Sequence, residues 1–230
     1  MKYLVLIILL TNICFISNAQ QFAIINDKDG FVNVRKDKSA NSPIVGKILN
    51  HSIFDAGYPS QNQSNWVRIY KQYNEDVNAG FVGYIYHDKI LPLSNFKFIS
   101  VVKIFKDSCF AINDSLKIVV KSLPFDSKVH KLSYDSGLLD KIDGKMFWAP
   151  SRLPKRGIEL RVFKSGQLIA IPKDAYNNAY DPQFKSLKVY LGNDNTIYIQ
   201  MYNGETDNPY CIIWTIRNGK YLSKYQESLI

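Results

Sequence analysis

The sequence predicts an all-β protein: a small N-terminal barrel followed by a larger antiparallel β-sandwich or curled sheet. Three observations carry this. Apolar residues recur with period two in short runs, as in Val32 and Val34 or Leu160 and Val162, the signature of half-buried strands. The runs are separated by Asp143-Gly144, Ser165-Gly166 and Asn218-Gly219, pairs of the kind that close β-hairpins. Helical periodicity is confined to a modest signal over residues 174–180, which stops before Asp181-Pro182.

The first segment reads as processing, not fold. Lys2 is a positive n-region, residues 3–10 an apolar run, and Ser17, Asn18 and Ala19 a small-x-small cleavage site, the pattern of a secretory signal peptide. The run falls far short of the roughly 20 residues that span a bilayer. Asn12 and Ile13 before Cys14 lack the small residues of a lipoprotein site. The expected boundaries are a signal peptide over 1–19, a first module over 20–93 and a β-rich module over 94–230. The mature chain then starts at Gln20, is secreted or periplasmic, and has no transmembrane segment.

In the first module, residues 31–35 alternate as a strand, with Val32 and Val34 on one face and Asn33 and Arg35 on the other. A polar turn over 36–41 leads to a second apolar run, 43–49. Residues 52–58 form another short strand ending at Pro59, and 60–65 a polar hairpin loop. Residues 66–70 alternate, 71–80 read as a polar loop-like insertion, and 81–86 close the module. Trp66 is expected to fill the barrel core. Tyr58, Tyr70, Tyr73, Tyr84 and Tyr86 are the candidates for an exposed groove, since tyrosine joins apolar area to a polar tip. Arg35 is placed to meet an acidic ligand group.

The order Asn33-Val-Arg35, polar turn, Val45-Gly46-Lys-Ile48-Leu49, Trp66-Val67 and Gly83-Tyr-Ile85 resembles the bacterial SH3-like domain over about a third of the chain. It departs from that family in the turn, which is Lys36-Asp37-Lys38, and in the last strand, where Tyr84 replaces Trp. The resemblance implies a small barrel that binds cell-wall peptides or proteins. Residues 94–230 resemble no family we can name.

Residues 91–95 read as the connector between two separate cores, with Pro92 disfavouring strand continuation. Strands are then expected over 96–105, 110–120, 129–134, 138–142, 145–148, 158–163, 168–171, 186–191, 196–202, 210–217 and 221–225. These eleven candidate segments, with almost no helix among them, point to a sandwich or curled sheet.

Charge is uneven. Residues 20–93 hold 8 Lys and Arg against 7 Asp and Glu, whereas 94–230 hold 20 against 13, a surplus that points the second module at an anionic partner. Lys155, Arg156, Arg161 and Lys164 lie close enough in sequence to form one basic patch. No nucleic-acid motif accompanies them. Cys109 and Cys211 remain after signal removal; export permits a disulfide, and burial as free thiols is the other reading.

No Cys/His spacing suggests a metal site, and no cofactor is implied. His51, His87 and His130 are scattered. The Asp/Asn-rich residues 203–208 offer oxygens to a hard cation or simply form a hairpin loop. Bacterial SH3-like domains often accompany cell-wall cysteine peptidases, which makes Cys109 and His130 a candidate dyad; Cys109, however, enters an apolar strand-like run without the glycine-rich context such enzymes show. The leading reading is a non-enzymatic, secreted binding protein of the cell envelope. Its partner is a cell-wall peptide, an anionic envelope polymer or an envelope protein. The alternatives are a protein-interaction or immunity-type protein docking through the second module, and an unfamiliar cell-wall hydrolase.

Overall fold

The computed structural model describes residues 22–56, 65–73, 76–101, 103–149, 152–205 and 207–229. The expected signal peptide lies outside them. The described chain is all-β and its sheets are antiparallel, with only single 3-10 turns between strands. Residues 174–180 follow this rule: a 3-10 turn, Lys173–Ala175, stands where the sequence suggests helical character.

Seven strands form the first sheet: β1 (Phe22–Ile25), β2 (Phe31–Arg35), β3 (Ile44–Leu49), β4 (Ile53–Asp55), β5 (Trp66–Tyr73), β6 (Asp76–Tyr86) and β7 (Ile90–Pro92). Their order is β3-β2-β6-β5-β4-β1-β7. The expected barrel does not close. β1 uses one edge for β4 and the other for β7, so no ladder edge is left for β3. The end of β3 meets β1 through an isolated parallel bridge from Ile25 to Asn50, with the His51 N–H donating to the Ile25 carbonyl at 3.3 Å and the Asn50 side chain bonding the Asp27 backbone, and no ladder forms. The loop expected over 71–80 is also corrected: the ladder of β5 and β6 runs on through Lys71–Phe81 and Gln72–Gly80 to Tyr73–Asp76. Pro92 ends an edge strand, where its missing N–H leaves no ladder bond unmade.

Two glycines of the SH3-like pattern have direct steric roles. A Cβ on Gly46 would sit 2.6 Å from the Phe81 ring, and one on Gly83 would sit 2.5 Å from the Arg35 carbonyl oxygen. β2 and β3 can approach β6 this closely because both positions lack a side chain.

Thirteen further described strands follow. One five-stranded sheet has the order β16-β15-β11-β10-β9, from β9 (Lys103–Phe105), β10 (Ser108–Ile112), β11 (Leu116–Pro124), β15 (Arg156–Lys164) and β16 (Gln167–Ile169). The other has the order β20-β19-β18-β17-β8, from β8 (Lys97–Ser100), β17 (Lys188–Leu191), β18 (Thr196–Asn203), β19 (Tyr210–Arg217) and β20 (Lys220–Ser228). A small sheet joins β12 (Leu132–Asp135), β13 (Leu138–Ile142) and β14 (Lys145–Met146). Two long expected strands therefore split. Residues 96–105 divide between the two five-stranded sheets, and 110–120 become the hairpin of β10 and β11. Asn113 turns that hairpin, its Oδ1 accepting the N–H groups of Ser115 and Leu116 at 3.1 and 2.8 Å.

The two five-stranded sheets bury Ile118, Val120, Leu160 and Val162 against Val189, Ile199, Met201, Ile212 and Trp214, a sandwich core. Trp214 donates from Nε1 to the Ala175 carbonyl at 2.7 Å, so its one polar atom is satisfied. The far face of the β17–β19 ladder is also covered. Tyr190, Tyr198, Cys211 and Ile213 pack with Phe22, Ile24, Ile53 and Leu93 of the first sheet. The sheet containing β18 and β19 is thus the middle of three layers, and the 91–95 connector lies over a shared cluster instead of between two closed cores.

This layering corrects the candidate disulfide. Cys109 faces the sandwich core and Cys211 the shared cluster, on opposite sides of the middle sheet. Both are free and buried, and burial pushes the Cys109 thiol up to about 12 and the Cys211 thiol upward as well.

Candidate binding surface

Strand parity decides which side chains β5 and β6 present. Val67 and Ile69 point into the core of the first sheet together with Phe81 and Ile85. Trp66, Arg68 and Tyr70 therefore point outward, opposite Tyr86, Tyr84 and Val82 respectively. Trp66 is the correction here: it is half-buried on the outer face, because Val67 beside it takes the core. Its ring meets Tyr86 edge to face at 5.5 Å and 81°. The Tyr86 hydroxyl accepts from Asn65 Nδ2 at 3.0 Å, which fixes the ring's tip.

Arg35 pairs with Tyr84 on the other side of β6. The outer face thus carries one continuous stripe: Trp66 and Tyr86, then Arg68, Tyr84 and Arg35, then Tyr70 and Val82. Lys38 stands over the Tyr84 ring at 5.6 Å, a favourable cation–π placement. Arg35 is held in place rather than free, since its Nη1 donates to the Ser42 carbonyl at 2.9 Å. The polar turn is organised around the same serine: Ser42 Oγ donates to Asp37 Oδ2 at 3.0 Å and accepts the Asp37 N–H at 2.9 Å. Of the sequence-predicted aromatics, the structure brings Tyr84, Tyr86 and Tyr70 to one face. Tyr58 and the Tyr73 side chain lie outside what is described. Arg68 and Lys38 complete the stripe and went unread in the sequence, although the parity of Trp66 was enough to place Arg68.

The proposed basic patch does not assemble. Lys155 Nζ meets Glu205 at 3.1 Å, Arg156 pairs with Asp107, Arg161 meets Glu159 at 2.6 Å, and Lys164 bonds Asn195. Arg156 and Lys164 stand at opposite ends of β15, opposite Pro124 and Leu116, and Arg161 projects from the other face. Sequence proximity along a strand spreads residues, because each step advances about 3.3 Å and flips the side.

The residue 203–208 loop is spoken for in the same way. Glu205 is taken by Arg152 and Lys155, so its charge is compensated by side chains and not held open for a cation. An open cleft of about 520 Å³ lies beside it, lined by Gln183, Gly204, Glu205 and Asp207. Among the described residues no three His, Cys, Asp or Glu side chains gather as metal ligands. Cys109 and His130 do not form a dyad: the thiol is in the sandwich core, while His130 stacks on Phe125 at 4.7 Å and bonds Asp143 Oδ2 through Nδ1 at 2.7 Å. That bond holds the Asp143 carboxyl below its usual range.

Comparison with known protein families, with characterised proteins and with solved structures finds no match for this chain.

Proposed function

We propose that this protein is a secreted, non-enzymatic binding protein of the cell envelope. In this reading the outer stripe of the first sheet is the binding surface for a cell-wall peptide. The observation that carries it is the cross-strand assembly Trp66–Tyr86, Arg68–Tyr84 and Arg35 on one exposed face. Wall peptides are short, extended and rich in carboxylates. Aromatic side faces give such a chain apolar contact, and guanidinium groups meet carboxylates in fork geometry. The SH3-like order of the motifs supports the same assignment.

The magnitudes point to modest affinity. Each aromatic contact contributes about 1 kcal/mol beyond its buried area, and exposed ion pairs contribute about as much or less. The test is co-sedimentation of the full mature chain with purified peptidoglycan at low and moderate salt, alongside a Trp66→Ala/Tyr84→Ala variant. The reading expects wild-type retention at both salt levels and loss of most retention in the variant. Equal retention of the two proteins contradicts it.

A further inference from the structure

The outer face of the sheet containing β9, β10, β11, β15 and β16 is ordered in rows. The first row is Leu168, Phe163, Lys117 and Ile112; the second Arg161, Val119, Phe110 and Lys103; the third Glu159, Lys121, Ser108 and Phe105. Leu123 continues β11 into a fourth row, opposite Gly157. The opposite face of these strands is the sandwich core, so nothing of the core is borrowed to make this surface.

The rows mix two chemistries. Leu168, Phe105, Leu123 and Ile112 are all exposed large apolar side chains, Leu168 by 62%. Among them stand Lys103, Lys117, Lys121 and Arg161, with Glu159 as the acid of these rows and already engaged by Arg161. Lys103 Nζ lies 4.7 Å from the Phe105 ring centre, and Lys117 Nζ lies 5.5 Å from Phe110 and 6.0 Å from Phe163. Phe105 and Phe110 meet edge to face at 5.5 Å. The surface is both cationic and apolar.

We infer that this face docks an extended acidic polypeptide segment that alternates carboxylates with apolar side chains. It does not rest on the wall-binding reading of the first sheet. Charge complementarity selects an anion. The interleaved Phe105, Ile112, Leu123 and Leu168 select an anion that brings apolar side chains to bury, which a phosphate or uronate polymer does not. Size selects a segment over a domain. Five strands about 4.8 Å apart and four rows about 7 Å apart make a plane of roughly 400 Å², about half of the roughly 800 Å² each partner contributes to a standard interface. Lys117 and Lys121 are four residues apart on β11 with Val119 between them, so a segment lying along β11 would place carboxylates at i and i+4 and an apolar side chain at i+2.

The test uses fluorescence polarisation with the full mature chain and four labelled or competing probes. These are a random copolymer of glutamate and tyrosine, poly-glutamate, polyphosphate, and phosphatidylcholine vesicles containing phosphatidylglycerol. The copolymer should bind more tightly than poly-glutamate or polyphosphate. Lys103→Glu/Lys117→Glu should weaken it by about tenfold or more, while Lys185→Glu/Lys220→Glu, exposed lysines off this face with the same change in net charge, should leave it within about twofold. A thermal melt reports whether the charge-reversed protein is folded, and Lys103→Gln/Lys117→Gln provides the milder variant if it is not. Copolymer binding that the two double variants weaken equally overturns the inference. So does binding in which polyphosphate or vesicles match the copolymer and respond to the same variants.

Discussion

His51, in the turn after β3, reaches across the layers to Asp194 in the turn between β17 and β18, with Nε2 and Oδ2 3.7 Å apart. Arg217 Nη2 meets the same carboxylate oxygen at 3.4 Å. Burial and the Arg217 charge hold the imidazole below its usual 6.5, and Asp194 offsets only part of this. His51 Nδ1 is a buried atom with no hydrogen-bond partner among the described residues. A histidine whose folded pKa is depressed leaves stability intact above pH 6.5. The stability falls as pH drops through the lower folded value, because the unfolded chain takes up the proton first. The expected result is that the difference in melting temperature between wild type and His51→Asn changes in favour of the variant as pH falls from 8 to 5. Asparagine is the chosen replacement because His51 has φ of 64°, which Asn tolerates. A pH-independent difference contradicts the assignment.

The shared cluster predicts coupling between the first sheet and the rest. Ile213 is fully buried on the face of β19 that packs against Phe22, Ile24, Ile53 and Leu93. Ile213→Ala should cost about 2–5 kcal/mol and accelerate amide hydrogen exchange in β1 as well as in β19. Exchange in β1 that stays at its wild-type rate would mean the layers are independent.

Gly83 offers a sharper steric test. Its hypothetical Cβ meets backbone, the Arg35 carbonyl, which has no rotamer to move. Gly83→Ala should destabilise by about 1–3 kcal/mol in denaturant unfolding. Gly46→Ala meets the Phe81 ring instead, and its effect reports how far that ring can shift. A neutral Gly83→Ala would show that β2 and β6 do not approach so closely.

The two thiols give a redox prediction. Cys109 and Cys211 are free and lie on opposite sides of the middle sheet. Melting with and without reductant should coincide, and a thiol reagent should label neither until the chain unfolds. A reductant-sensitive melt would require the layers to be arranged differently.

Much of the architecture is legible in the sequence where local chemistry and tertiary packing agree. β2 and β19 fall on their expected bounds, and Asp143-Gly144, Ser165-Gly166 and Asn218-Gly219 all turn with positive φ at both residues. The run Tyr210-Cys-Ile-Ile-Trp-Thr-Ile216 held more than a strand. An unbroken apolar run with both parities filled marks a strand covered on both faces, which is the middle layer seen here. The failures have physical causes. Asn113-Asp114-Ser115 is a turn cluster between two apolar runs, a signal the sequence carries and the single-strand reading of 110–120 passes over, so β10 and β11 read as one strand. Trp66 looks like a core residue by type, but parity with Val67 and Ile69 decides, and it lies outside. The basic patch failed because nearness along a strand is not nearness on a face, while cross-strand rows such as Phe163, Lys117 and Ile112 join residues roughly fifty positions apart in the chain.

Trp66 also supplies the most direct test of the proposed binding surface. The chain has three tryptophans; Trp148 and Trp214 are buried, and Trp66 stands half-exposed beside Tyr86 on the outer face of β5. Soluble peptidoglycan fragments titrated into the full-length protein should therefore change its tryptophan emission in a saturable way. The change should vanish in Trp66→Phe, which keeps an aromatic ring and the fold. A saturable change that persists in Trp66→Phe, or fragments that leave the emission unaltered at every concentration up to the millimolar range expected of a weak site, would contradict the assignment of this surface.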